Sequence, residues 1–85
     1  MDELIGQNVV LDVEAMFVYV GMLSQVNDKT IMLKNADVHD LRDSATTRER
    51  YVLDSKMHGI RANRKSVMVQ RSQIVSVSAL ADVLD

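Results

Sequence analysis

Apolar and polar residues alternate over residues 8–14, and this period of two predicts a half-buried first strand. Val9, Leu11 and Val13 fall on the apolar face, and Val10 is the one apolar residue on the polar face. The pattern therefore directs one face of this strand toward a core and the other toward solvent.

The next apolar segment, residues 17–26, is longer and carries apolar side chains on both faces. Gly21 lies in its middle, where a barrel strand has to bend sharply. Residues 27–29 have the composition of a turn, so a returning third strand is expected over residues 30–38. Residues 2–6 begin with two acids and end with glycine, which predicts a short N-terminal helical turn.

The chain becomes polar at residue 40, and a surface helix is expected over residues 47–58. Ser44 or Thr46 can cap its start, and Gly59 can end it. One modest apolar stripe is expected to face the rest of the molecule, formed by Tyr51, Val52, Ser55, Met57 and His58. A basic connector over residues 61–65 follows the helix.

Two further strands are predicted near the C-terminus, over residues 67–69 and 74–77. Too few residues separate them for a free hairpin loop, so residues 71–73 are expected to form a sharp bend. Residues 78–84 fit a strand end or a helical turn. Five strands and a bend glycine predict a mostly β fold: a small, partly open, strongly bent SH3-like barrel with a helical insert between strands 3 and 4.

Composition limits what this barrel can do. The chain has 85 residues, 47% of them hydrophobic, with one Phe, two Tyr, no Trp and no Cys. The core is therefore expected to be aliphatic, and base stacking on aromatic side chains cannot be the main activity. No apolar run approaches the roughly 20 residues that a membrane span needs, and no basic leader opens the chain. A cytoplasmic protein without membrane contact, cofactor or metal is expected.

Charge is divided along the chain. Residues 1–47 carry eight acids and three bases, whereas residues 48–71 carry seven bases and two acids. This division suggests an anionic ligand on one face or head-to-tail pairing of subunits. A solvated surface of mixed charge explains the pattern equally well.

No pattern of catalytic residues stands out. Asp12 and Glu14 share a strand face but fit a wet outer surface better than an acid and base pair. His58, at the expected helix end, suits the helix dipole. The basic connector is more often solvated than a phosphate clamp. A metal site is considered but not favoured at a polar strand end that contains Asp37, His39, Asp40 and Asp43.

An apolar stretch over residues 9–35 is followed by a polar spacer and then by a second, short apolar stretch over residues 67–77. The order of these parts resembles the Sm-like (LSm/Hfq) family, whose small barrels form rings that bind RNA. The family's strand-two Gly-x-Leu matches Gly21-Met22-Leu23, and its strand-three ending matches Leu33-Lys34-Asn35. Arg71-Ser72 matches the second motif, which is Arg-Gly in the Sm branch and Lys-His in the Hfq branch. The resemblance implies one Sm-like domain over residues 1–85.

Within that domain, the resemblance assigns a first motif to about residues 9–35, a variable insert to about residues 40–65 and a second motif to about residues 66–78. Family members that bind uridine carry Asp-x-x-x-Asn in loop three. Here the loop spans residues 27–30, places Asn first and lacks the final Asn.

The resemblance implies a non-catalytic ring that binds single-stranded RNA at its pore, with about five to seven copies of the chain. The implied RNA-binding residues are Asn27, Asp28, Lys29, Thr30, Arg71, Ser72 and Gln73. Strands 4 and 5 would form the subunit interface through Val67, Met68, Val69, Ile74, Val75, Ser76 and Val77. The alternative is a ring-shaped scaffold or protein adaptor that binds partners through the 40–65 insert.

Overall fold

A computed structural model describes residues 1–43 and 45–85, so Ser44, one of the two expected helix caps, lies outside the described residues. Five strands and one helix form the framework, with short 3₁₀ turns at Asp2–Leu4, Arg71–Gln73 and Leu80–Asp82. The strands are β1 (Asn8–Val13), β2 (Phe17–Val26), β3 (Thr30–Asp40), β4 (Arg64–Gln70) and β5 (Ile74–Ala79), and the helix is α1 (Arg48–His58).

The five strands form one antiparallel sheet in the order β4-β3-β2-β1-β5. The expectation of a mostly β, five-stranded, partly open fold is confirmed, and α1 lies between β3 and β4. β2 has the predicted bounds, while β3 extends past residue 38 to Asp40. β4 and β5 each pair with one neighbour, so the two strands joined by the 71–73 turn are the two edges of the sheet.

Gly21 lies where β2 and β3 lose their regular register, between the pairs formed by Val20 and Met22. A Cβ at Gly21 would stand 2.8 Å from the Cβ of Ala36, which is closer than side chains approach each other. Asn35, beside Ala36, has a positive φ of 50°. The strands therefore cross closely here because glycine leaves room for Ala36.

The sheet buries apolar residues on both of its faces. The inner face forms the main core, which includes Leu11, Leu23 and Ile31. On the other face, Val10 packs in a second cluster with Val52 of α1. The expectation that Val10 lies on a solvated polar face is wrong, because α1 covers that face of the sheet.

Thr47 caps α1, since its side chain accepts a hydrogen bond from the Arg50 N–H at 3.2 Å. The cap predicted at Thr46 and a helix start at residue 47 are therefore wrong by one residue. Gly59 ends the helix with φ 95°, as expected. Val52 and Ser55 are buried as the apolar stripe predicted.

Met57 and His58 do not belong to that stripe. Both side chains are exposed, and Met57 is 63% exposed. The helix therefore contacts the sheet through a narrower face than expected. In the parts of the chain that the structure describes, no helix is long and apolar enough to cross a membrane.

Candidate nucleic-acid interface

The turn between β2 and β3 meets the turn between β4 and β5. The Arg71 N–H donates to the Lys29 carbonyl at 2.8 Å. The Arg71 guanidinium donates through Nη1 to the Asn27 carbonyl at 2.7 Å. Two loops that are separated by more than 40 residues in sequence therefore form one hydrogen-bonded surface, and it brings Lys29 of the first loop together with Arg71 of the second.

Asn27 closes its own loop. Its Oδ1 accepts hydrogen bonds from the Lys29 N–H at 3.1 Å, the Thr30 N–H at 2.9 Å and the Thr30 hydroxyl at 2.9 Å. These three bonds fix the turn. Since the side-chain oxygen of Asn27 is fully used, only the amide NH₂ of this side chain is left to contact a ligand.

A shallow groove of about 240 Å³ runs along the joined loops, lined by Asp28, Lys29, Gln70, Arg71 and Ser72. Lys29 and Arg71 are exposed, and neither forms an ion pair within residues 1–43 and 45–85. The guanidinium of Arg71 has five N–H donors, and one of them is hydrogen-bonded to the Asn27 carbonyl, so the others are available to a ligand. The groove therefore presents free cationic donors on a fixed backbone.

Gln73 contributes differently from the other predicted loop residues. Its carbonyl accepts a hydrogen bond from the Glu14 N–H at 2.9 Å, which ties the turn to the end of β1. Its side chain lines another cavity, beside Phe17 and Met68. The structure thus does not bring Gln73 into the groove.

The predicted interface residues divide into two groups. Met68 on β4 and Val75 on β5 are 57% and 66% exposed. Val69 is 5% exposed and belongs to the inner core. Ser76 donates to the Asp12 carboxylate at 2.7 Å, and Val67, Ile74 and Val77 pack partly against the inner core. Only Met68 and Val75 therefore offer large apolar side chains along the sheet edges.

The polar end of β3 is held by hydrogen bonds within the chain. Asp37 accepts a hydrogen bond from the Tyr51 hydroxyl at 2.5 Å, and the His39 ring stacks on Tyr51 with 3.9 Å between centroids. Burial and the hydrogen bond to Asp37 raise the pKa of Tyr51 well above its usual range. Among the described residues, no three His, Asp or Glu side chains gather as metal ligands.

Asp40, farther along the same strand, pairs with Arg42 at 2.8 Å. Hydrogen bonds from the side chain and backbone of Arg42 lower the pKa of Asp40 to about 2. Asp12 on β1 forms an ion pair with Arg48 at 2.8 Å. These two carboxylates therefore hold cations of the insert, and Asp12 is more than part of a wet outer face.

The contact of His39 with Tyr51 was not predicted from the sequence. Strand alternation places Asp37 and His39 on one face of β3, and the predicted stripe turns Tyr51 toward the rest of the molecule. The missing information was the position of α1 over β3. The hydrogen bonds that join the two loops also required the three-dimensional arrangement.

Comparisons with known proteins support the fold. No protein-family profile and no curated protein sequence matches the chain. The solved structure of an Sm protein from Pyrococcus abyssii in complex with a uridine heptamer is similar, with a TM-score of 0.62 over 92% of this chain and 89% of that chain. The sequence identity is 10%. The chain therefore has an Sm-like fold, as its sequence motifs implied.

Proposed function

We propose that this chain forms a cyclic homo-oligomer that binds single-stranded RNA without catalysis, through the groove of loops 27–30 and 71–73 at the pore. The main support is the hydrogen-bonded junction of these loops, which leaves Lys29 and Arg71 free to bind an anion. The Sm protein of similar fold was solved with a uridine heptamer, which makes RNA the first ligand to test.

The groove suits a phosphate backbone better than a specific base. Arg71 can grip a phosphate with two donors or stack on a base, and Lys29 adds a mobile positive charge. Asn27 uses its side-chain oxygen within the turn, so it cannot offer that acceptor to the edge of a uracil. We therefore expect weak discrimination between bases.

The two open sheet edges support ring assembly. An exposed edge strand carries unpaired N–H and C=O groups that readily pair with another chain. Because β4 and β5 lie at opposite ends of the strand order, β4 of one copy can pair with β5 of the next. Such head-to-tail contacts close into a ring, for which we expect about five to seven subunits. The ring repeats a weak contact around its pore, so avidity raises the affinity for RNA.

Removing the Arg71 side chain tests the binding site. We expect Arg71→Ala to weaken binding of a labelled single-stranded RNA by about tenfold or more in fluorescence anisotropy, because a charge-assisted contact is lost in every subunit. The backbone hydrogen bond from Arg71 to Lys29 remains in this variant, which preserves the junction of the loops. Arg42→Ala removes an exposed arginine outside the groove and serves as the matched control. Equal affinity of Arg71→Ala and the unaltered chain would contradict the proposed site.

A ring-shaped scaffold that binds other proteins is the second candidate. The occupied Asn27 oxygen favours it, because the loop lacks a free acceptor for base recognition. The insert would then carry the partner surface, with Met57 as an exposed apolar contact on α1. A closed ring that binds no RNA, together with a partner contact that Met57→Glu abolishes, would favour this function.

A further inference from the structure

Another cavity lies on the opposite side of the sheet from the main core, between α1 and β3. Its volume is about 490 Å³, within the range of small-molecule sites. Asp37 and His39 form the β3 wall, and Tyr51, Asp54 and His58 form the helix wall, with Arg61 beside the helix end. None of these residues belongs to the groove at loops 27–30 and 71–73.

The cavity offers an aromatic surface and an unused polar atom. The rings of His39 and Tyr51 are nearly parallel, with an angle of 8° between their planes. The Nε2 atom of His39 is buried and has no hydrogen-bond partner within the described part of the chain. Buried polar atoms in folded proteins are normally paired, so this nitrogen in the cavity wall is a polar group that can gain a partner if the wall shifts when a ligand enters.

The segment that follows α1 borders the cavity, and Arg61 is the one Lys or Arg among the lining residues. Asn63 holds this segment against β3, because its side-chain amide exchanges hydrogen bonds with the backbone of Val38 at 3.0 and 3.1 Å. Arg61 is exposed and forms no ion pair with a described carboxylate. Arg64 and Lys65 belong to β4, so the basic connector expected over residues 61–65 is shorter than predicted. The bonds of Asn63 fix the short segment that carries Arg61 beside β3.

Two carboxylates add a requirement on the ligand. The Tyr51 hydroxyl occupies Oδ2 of Asp37, which leaves Oδ1 as an acceptor. Among the described residues, Asp54 forms an ion pair with Arg50 alone, at 3.6 Å. These negative charges disfavour a bare phosphate inside the cavity and favour a group that donates hydrogen bonds. An exocyclic amine on an aromatic base meets this requirement, since aspartate accepts well from the N4 amine of cytosine.

We propose that this cavity is a nucleotide-binding site, in which an amino-bearing base packs against His39 and Tyr51 and the phosphate lies on Arg61. The ligand is a free nucleotide or one nucleotide of an RNA strand. This site does not depend on the proposed pore function, because it shares no residue with the groove. Stacking plus one charged contact gives an affinity of about 1 mM for a single nucleotide.

The histidine signals provide a direct measurement, since the chain has two histidines and both line the cavity. We expect cytidine 5′-monophosphate at constant pH to shift the imidazole NMR signals of His39 and His58 saturably. Uridine 5′-monophosphate, which lacks the amine, should bind more weakly, and inorganic phosphate should cause no saturable shift. A short cytidine oligonucleotide that binds more tightly than the mononucleotide identifies an RNA strand as the ligand, and equal affinity identifies a free nucleotide.

Matched variants separate this site from the groove. Arg61→Gln should weaken nucleotide binding about tenfold, because it removes the charge-assisted phosphate contact. Lys29→Gln makes the same charge change in the groove. Neither Lys29→Gln nor Arg71→Ala should alter the shifts that the nucleotide causes in the histidine signals. No saturable shift with either nucleotide, or the same response to phosphate alone, would overturn the site. Equal affinity for cytidine and uridine monophosphates would contradict the role of the carboxylates.

Discussion

Gly21 is the residue on which the crossing of β2 and β3 depends most directly. Replacing glycine with alanine usually stabilises a chain when the native conformation allows it, because the unfolded state loses freedom. Here the new Cβ would stand 2.8 Å from the Cβ and 2.9 Å from the Cα of Ala36. Because of this close contact, the substitution is expected to destabilise the fold instead of stabilising it.

We expect Gly21→Ala to lower the free energy of unfolding by about 1–3 kcal/mol, the typical cost of an overpacked core. Urea denaturation measures this change. Adding Ala36→Gly to the same chain should recover only part of the loss, because the Ala36 Cα remains in the way. An unchanged or higher urea midpoint for the single variant would show that the strands separate more easily than this geometry implies.

Tyr51 contributes to stability through its hydroxyl. We expect Tyr51→Phe to cost about 1–2 kcal/mol at pH 7, because a hydrogen bond to a carboxylate is lost. Burial raises the pKa of Tyr51, so the folded chain holds this proton more tightly than the unfolded chain. The Tyr51 hydroxyl therefore makes its full contribution to the free energy of unfolding below pH 10.0, the ordinary tyrosine pKa. This contribution is lost as the pH rises above that value.

Denaturation at several pH values tests this dependence. The difference between the unaltered chain and Tyr51→Phe should be constant from pH 7 to about 9 and should shrink above pH 10. Tyr19→Phe is the matched control, since the Tyr19 hydroxyl makes no hydrogen bond within the described residues. A difference that stays constant above pH 10 would contradict the assigned role of the hydroxyl.

Helix α1 completes the fold by covering one face of the sheet. Val52 is 7% exposed and packs with Val10, Val18 and Val20. Deleting the insert would therefore expose a hydrophobic cluster as well as remove a partner surface. Single substitutions on the exposed side of α1 are a cleaner test of partner binding.

The packing of α1 can be tested by a pair of truncations on the same helix. Val52→Ala should lower the free energy of unfolding by about 2 kcal/mol, because it leaves a cavity between helix and sheet. Met57→Ala should change it by less than about 0.5 kcal/mol, because Met57 is 63% exposed. Equal effects of the two variants in urea denaturation would contradict the described orientation of the helix.

The elements differ in how far the sequence predicts them. Alternation and turn composition are local signals, and they located β2 and the turn of Asn27 well. The cap of α1 was misplaced because several adjacent residues can serve as caps, and backbone geometry selects Thr47. The surroundings of Val10 and the partner of His39 depend on where α1 lies, and no local pattern carries that information.

At the scale of the whole molecule, assembly depends on the sheet edges. Met68 lies on β4 at one edge and is 57% exposed. We expect Met68→Glu to dissociate the ring, because a charge in a strand-pairing contact is desolvated without a partner. Met57→Glu makes the same change at a similarly exposed site on α1 and should leave the ring intact. Sedimentation velocity measures both, and an intact ring for Met68→Glu would show that this edge is not the interface.

Native mass spectrometry of the full chain, alone and mixed with short uridine-rich and adenosine-rich RNA oligomers, tests the central proposal most directly. We predict a closed ring of about five to seven copies. The ring should carry one oligomer, with little preference between the two RNAs, because the groove lacks a free asparagine oxygen for base recognition. A ring that stays bare would contradict the RNA-binding function, and a monomer under the same conditions would contradict the assembly.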